Sequence, residues 1–213
     1  MGLPQPYYDD GQVTIYHADC RDVLPHLPPV DLVLTDPPYG IDFKYGDAYT
    51  DRQDDYRAWM LPVFEEMRRL GSVVMLTPGI RNLWMYPPAT WVMCWAKPGS
   101  PRRSGLGGFN EWEPVLVYGK RRIYNDFKWL AAWNNTSKHT GEHPCPKPEA
   151  LCRWLVSEGS DEGALVLDPF SGSGTTLVAA KVLGRRAIGI EIEERYCEIA
   201  VKRLAQAVLP LAS

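Results

Sequence analysis

The chain has 213 residues, 45% of them hydrophobic, with 23 basic side chains against 26 acidic and a formal charge of −3. That length suits one domain, or one domain with a small insertion, and the charge balance excludes a protein that is basic throughout. No apolar run reaches the roughly 18 residues that a membrane span requires.

The charge is unevenly spread. Residues 1–60 carry eleven acids and four bases, whereas residues 97–148 carry nine bases and four acids. A local basic face on an acidic body suits a polyanion partner, although such a pattern is more often a solvated surface. The five cysteines are odd in number and contain no C-x-x-C pair, so they read as reduced thiols and not as a disulfide framework or a zinc site. The acidic N-terminus MGLPQPYYDD lacks the profile of a signal peptide. A cytoplasmic protein without a metal site is expected.

In chain order, Val13–Tyr16 reads as a strand, followed by a turn over residues 17–20 and a short helix within residues 20–27 broken by Pro25. The apolar run from Val30 to Thr35 reads as a buried strand, which Asp36-Pro37-Pro38-Tyr39 ends abruptly. Residues 40–50 have the composition of a loop at the mouth of a site. Residues 54–70 place Trp59, Met60, Val63, Phe64 and Met67 at helical spacing, with Pro62 predicting a kink or a late start. Gly71 stops that helix, residues 72–76 form a buried strand, and residues 79–86 hold a helical turn.

Residues 91–95 and 114–118 read as strands joined without a helical pattern, hence an antiparallel hairpin. Residues 119–141 are the least regular stretch. A helix is predicted over 149–157, a strand over 164–167, a helix over 175–183, a strand over 187–190 and a final helix over 194–208. Strands alternating with helices of this length predict an α/β fold, a mostly parallel sheet with helices on both faces. The tryptophans at 84, 91, 95, 129, 133 and 154 are core or interface by default. Trp129 and Trp133, in a polar stretch beside basic residues, are the weakest case for core and could touch a polyanion partner.

Two stretches carry chemistry. The turn at Asp36–Tyr39 puts a carboxylate, free carbonyls and an aromatic face at a strand's carboxyl end, where open α/β sheets bind ligands. Such a turn can hold a planar, amino-bearing substrate, and by itself it is equally a strand-ending turn with a packed tyrosine. The second stretch is Asp168-Pro169-Phe170-Ser171-Gly172-Ser173-Gly174-Thr175-Thr176, a strand running into a glycine turn that opens a helix. Its backbone N–H groups suit a carboxylate or phosphate. No Gly-Lys-Ser/Thr follows, so it is not a phosphate-cradling Walker loop, and the dinucleotide fingerprint lacks its third glycine. Glu191, about 20 residues on, stands where a ribose-binding acid sits in nucleotide-type α/β sites.

Together these segments resemble the amino-directed DNA methyltransferases that use S-adenosylmethionine. D-P-P-Y matches their catalytic motif and D-P-F-S-G-S-G-T-T their methionine-binding motif. G-I-E-I-E-E-R-Y-C-E-I-A is similar to the ribose motif, and His143–Pro148 to the H-P-x-x-K-P segment before the cofactor strand. Y-H-A-D-C-R-D-V-L is similar to the segment whose acid, here Asp19, contacts the cofactor's adenine. Catalytic motif first and cofactor motif last is the beta-type order. The resemblance implies a Rossmann-like class I methyltransferase sheet, DNA as partner and S-adenosyl-L-methionine as cofactor, with a restriction–modification system, a phage or a regulatory circuit as alternative settings.

The resemblance further implies roles. Asp36 and the Pro37 carbonyl accept the two N–H bonds of an exocyclic amino group, Pro38 stiffens the turn, and Tyr39 stacks on a flipped-out base. Glu191 lies on the cofactor ribose. Asp168 and the turn Phe170, Ser171, Gly172, Ser173, Gly174 and Thr175 lie near the methionine part, with Lys147 close by. D-P-P-Y leans toward adenine N6, with cytosine N4 as the alternative. A cofactor-binding DNA partner without catalysis is an alternative of a different class, and RNA or protein-glutamine methylation is a further one. Pro144-Cys145 resembles the dipeptide of ring-carbon methylases but sits inside H-P-x-x-K-P. His139-Thr140-Gly141-Glu142 has H-x-x-E spacing where zinc deaminases have H-x-E.

Many members of this family insert a recognition domain before H-P-x-x-K-P. Only about residues 120–142 are available here, too few for an independent core. One catalytic domain spanning 1–213 is expected. Its DNA recognition, through residues 99–112 and 120–142, is expected to be short, relaxed or shared across a homodimer.

Overall fold

The computed structural model describes residues 2–40, 55–98, 110–130 and 147–207. Nine strands form one sheet: β1 (Tyr8–Asp9), β2 (Val13–His17), β3 (Val30–Thr35), β4 (Gly71–Leu76), β5 (Trp91–Ala96), β6 (Trp112–Gly119), β7 (Phe127–Trp129), β8 (Leu165–Asp168) and β9 (Arg186–Glu191). The helices are α1 (Cys20–Val23), α2 (Tyr56–Leu70), α3 (Gly79–Asn82), α4 (Glu149–Gly159), α5 (Thr175–Val182) and α6 (Glu194–Gln206). A 3-10 turn over Leu24–His26 follows α1.

The strand order is β1-β2-β9-β8-β3-β4-β6-β5-β7. The block from β2 to β4 is parallel throughout, and β6 runs antiparallel to both β4 and β5. The expected hairpin is therefore present, and it extends the sheet on one side. Along β3 and β4 the side chains alternate between two cores. Leu32, Leu34, Val73 and Met75 face α4, α5 and α6, whereas Val33, Val74 and Leu76 face α1 and α2. Burial on both faces is why these strands read as continuous apolar runs.

The α2 helix buries Tyr56, Met60, Val63, Phe64, Met67 and Leu70, one stripe at 3.6-residue spacing. It starts two residues later than the sequence pattern predicts and runs on through Pro62. That ring lies on the exposed face, where the carbonyl of Ala58, deprived of its amide partner, is open to water.

Two strands escape sequence reading. β1 has two residues and pairs with β2, and β7 has three and runs parallel to β5. Neither is long enough to show alternation, and both are edges, where shortness limits unwanted pairing. Trp95 and Trp154 are buried, Trp84 and Trp91 are exposed and lie outside the core, and Trp129, the weakest case for core, is exposed too. Trp133, the loop of residues 41–50 and most of the basic segment 99–112 lie outside the described residues, as do positions 131–146 of the 120–142 and H-P-x-x-K-P segments. Among the described residues no helix is long and apolar enough to cross a membrane, and Cys20, Cys94, Cys152 and Cys197 are free thiols.

Candidate functional site

The two chemical turns end neighbouring strands. β3 and β8 pair in parallel through Leu32–Val166 and Val33–Leu167, so both chains leave the sheet at its carboxyl edge. A buried bond joins them: Thr35 Oγ1 donates to Asp168 Oδ1 at 2.7 Å. The same oxygen accepts the Phe170 amide at 3.1 Å. Burial pushes the Asp168 carboxyl up to about 6, against the hydroxyls of Thr35 and Thr176 that favour its charge.

The glycine turn is held from three sides. The Ser171 amide donates to the Ile190 carbonyl at 3.0 Å, and the Gly174 amide to the Ser171 carbonyl at 2.8 Å. Gly174 has φ +77°, and a Cβ there would meet Ala200 Cβ at 2.7 Å. A side chain at that position would both strain the turn and push α6 away. From α6, Arg203 Nη1 donates to the Ser173 carbonyl at 2.7 Å, Ser173 Oγ at 3.2 Å and Thr175 Oγ1 at 2.9 Å. The turn ends at α5, whose first N–H groups face the carboxyl edge.

Glu191, at the end of β9, accepts the Gly172 amide on Oε2 and the Glu193 amide on Oε1, each at 2.8 Å. Burial nevertheless pushes its carboxyl up to about 7. Asp19 caps α1 by accepting the Arg21 amide at 2.9 Å. Burial would raise its carboxyl, but that bond and the Arg21 guanidinium, 2.6 Å from Oδ2, bring it below the ordinary range. Asp19, Pro38, Trp59, Phe170, Glu191 and Ile192 line one pocket. The Trp59 and Phe170 rings stand 5.7 Å apart. The pocket lining thus combines two acids with apolar and aromatic side chains, a composition that suits a nucleoside.

The acceptor turn has its own network. Thr77, which follows β4, donates its hydroxyl to Asp36 Oδ1, and the Tyr39 hydroxyl donates to the same oxygen at 2.5 Å. Lys147 Nζ lies 2.7 Å from Asp36 Oδ2 and 3.0 Å from the Tyr39 hydroxyl. Asn82 of α3 donates to the Tyr39 carbonyl at 2.9 Å. Gly79 lies against the tyrosine ring, since a Cβ there would come within 3.6 Å of it. Burial and the neighbouring Asp36 raise the Tyr39 phenol well above its usual value, so it is a donor at neutral pH. Beyond Lys147, Lys97 and Glu113 form a buried ion pair.

Residues predicted from sequence thus gather at one edge of the sheet, with one displacement. Lys147, expected by the cofactor turn, has its ammonium on the acceptor turn. Thr77, Asn82, Trp59 and Arg203 were not singled out, because each reaches the site only through tertiary packing. Glu113 had a signal: it is an acid beside the apolar run Val115–Tyr118 of a fully buried strand.

The family described as DNA methylase, N6_N4_Mtase, matches residues 78–202. The type II methyltransferase M2.DpnII of Streptococcus pneumoniae is 25% identical, covering 95% of this chain and 93% of its own. The DNA adenine methyltransferase YhdJ of Escherichia coli K12 is 27% identical over 90% of this chain and 82% of its own. Among solved structures, the cytosine-N4-specific PvuII DNA methyltransferase superposes with a TM-score of 0.71 at 19% identity, over 98% of this chain and 90% of that one. The DNA modification methylase TTHA0409 of Thermus thermophilus, complexed with S-adenosyl-L-methionine, gives 0.63 at 25% identity, over 91% of this chain and 95% of that one.

Proposed function

The chain belongs to the N6/N4 DNA methylase family, and from that premise we propose that its Asp36–Tyr39 turn presents the exocyclic amino group of a flipped-out adenine to the cofactor. The protein is a DNA methyltransferase that uses S-adenosyl-L-methionine. The observation that carries the assignment of its residues is the Thr35–Asp168 bond, which sets the two turns side by side at the ends of adjacent parallel strands.

The residues present fit the cofactor. Glu191 would take the ribose hydroxyls and Asp19 the adenine amino group, with Phe170, Trp59 and Ile192 as apolar walls. Asp168 and the turn from Phe170 to Thr175 would hold the methionine part near the N–H groups that open α5. When bound, the cofactor supplies an electrophilic methyl group on its sulfonium.

The chain's own task is to ready the nucleophile. The lone pair of an exocyclic amino group is delocalised into the ring, and accepting both N–H bonds localises it. An ionised carboxylate offers about four acceptor positions. Among the described residues, Tyr39 and Thr77 fill the two on Asp36 Oδ1 and Lys147 takes one on Oδ2, which leaves one for the amino group. The Pro37 carbonyl takes the second N–H. Tyr39, backed by Gly79, offers the face of its ring to the base, worth about 1–3 kcal/mol. Catalysis is then positioning and electrostatics without a covalent intermediate.

The adenine reading is supported by the aspartate that opens the turn and by the adenine relative YhdJ. The PvuII likeness, at 19% identity, carries the fold alone. Residues 1–213 act as one catalytic domain in the cytoplasm. DNA is read by segments 99–112 and 120–142, in a mode that is short, relaxed or shared between two copies of the chain. Asp36→Ala is expected to retain cofactor affinity within about twofold while losing methyl transfer. Radiolabelled transfer over DNA, RNA and protein tests the substrate, and nucleoside analysis of the product tests the base. Label confined to cytosine, or unchanged activity of the variant, overturns the corresponding part.

A further inference from the structure

Four charged groups of alternating sign cross the carboxyl edge of the sheet: Lys97 after β5, Glu113 on β6, Lys147 before α4 and Asp36 after β3. Lys97 is 7% exposed and Glu113 9%. Lys97 Nζ binds Glu113 Oε1, and Lys147 Nζ stands 3.9 Å from Glu113 Oε2 and 2.7 Å from Asp36 Oδ2. The Trp95 ring lies beside both ammonium groups, 5.0 Å from Lys97 Nζ and 5.9 Å from Lys147 Nζ. Withdrawing such charges from water is costly, and apolar replacements of buried pairs often leave stability unchanged or improved. Stability alone therefore gives little account of the Lys97–Glu113 pair.

Its position gives one. Lys147 lies outside the sheet ladder, so partners and not a strand fix its ammonium. Glu113 lies opposite Trp95 in the β5–β6 register and is therefore rigidly placed. We infer that Glu113, held by Lys97, is a positioning residue for methyl transfer: it anchors Lys147 so that Asp36 keeps one Oδ2 acceptor position aimed at the amino group. The inference rests on the role proposed above for Asp36.

Geometry of this kind has a pH signature. Burial alone would lower the Lys147 ammonium, but Asp36, Tyr39 and Glu113 hold it well above its usual value. The titratable groups facing it are Asp36 and Tyr39 from the acceptor turn, Glu113 and Lys97 from the hairpin, and Cys152 from α4. Removing the Glu113 charge takes away one of the groups that keep Lys147 protonated.

The test compares Glu113→Gln and Glu113→Asp with the parent enzyme for kcat against pH, with cofactor and DNA affinities measured separately by titration. Glu113→Gln is expected to lower kcat roughly 10- to 100-fold, to move the alkaline limb of the profile to lower pH, and to leave both affinities within twofold. Glu113→Asp, which keeps the charge, restores a large part of the rate. A parental kcat in Glu113→Gln overturns the inference, and so does a lowered kcat whose alkaline limb has not moved. Should that variant fail to fold, Lys97→Met/Glu113→Met removes both charges together and is read in the same way. Asp36→Ala separates the two levels. If it stays active, the acceptor-turn reading fails as well; if it is inactive while Glu113→Gln is fully active, only the positioning role fails.

Discussion

Single residues of this site carry opposing electrostatic demands, and Glu191 is the sharpest case. Its carboxyl is pushed from 4.5 up to about 7 by burial, despite three backbone N–H groups that favour its charge. Between about pH 4.5 and pH 7 the folded protein holds a proton that the unfolded chain has lost. Stability of the ligand-free enzyme from this group is therefore present at low pH and falls as pH rises through that window. A displacement of that size is worth roughly 3 kcal/mol. Thermal unfolding at several pH values should show a flatter pH dependence in Glu191→Gln than in the parent. On the role proposed above for Glu191, cofactor affinity should respond oppositely, weakening as pH falls below about 7, because an ionised carboxylate is the stronger acceptor for ribose hydroxyls; titration calorimetry checks this. That Glu191 is an acid at a strand's end was legible from its spacing. That it sits buried among amides was not, since burial is set by segments distant in sequence.

At the level of elements, α6 acts as a brace for the glycine turn, with Ala200 against Gly174 and Arg203 on Ser173 and Thr175. Hydrogen bonds from a charged donor contribute about 1.5–3 kcal/mol. Arg203→Ala is expected to weaken cofactor binding about tenfold while kcat at saturating cofactor stays near the parental value. Titration of the folded variant decides it, and unchanged affinity would count against the brace. The helix itself was legible from periodicity, but its arginine read as one more surface base. β7 shows the same limit. Three residues carry no alternation, and only β5, 33 positions earlier at Cys94–Phe127, gives them a strand to pair with.

Across the whole molecule, topology brings one part of the basic stretch to the edge of the sheet that carries the two turns. β7 runs parallel to β5, so Lys128 and Trp129 reach the same carboxyl edge as the two turns. With the order β3-β4-β6-β5-β7, they stand about 19 Å from β3 by strand spacing. Trp129 is 64% exposed, and with Lys128 it sets an aromatic beside a basic group as DNA contacts do, whereas Lys120, Arg122 and Tyr124 follow the end of antiparallel β6 and lie at the opposite edge of the sheet. Lys128→Ala is expected to weaken DNA binding and to lower its salt slope by about 1, whereas Trp129→Ala weakens binding without changing the slope. Anisotropy titrations across salt concentrations separate the two. The sequence by itself determined the alternation of strands and helices, the two turns and the order of the motifs, because these rest on local periodicity, glycine and proline chemistry, and short spacings. Only the tertiary structure decided that β3 and β8 are neighbours, that the Lys147 ammonium lies beside Asp36 and Tyr39, and that Lys97 and Glu113 stand behind it. Those contacts join segments tens of residues apart, and no local pattern encodes which strand lies beside which.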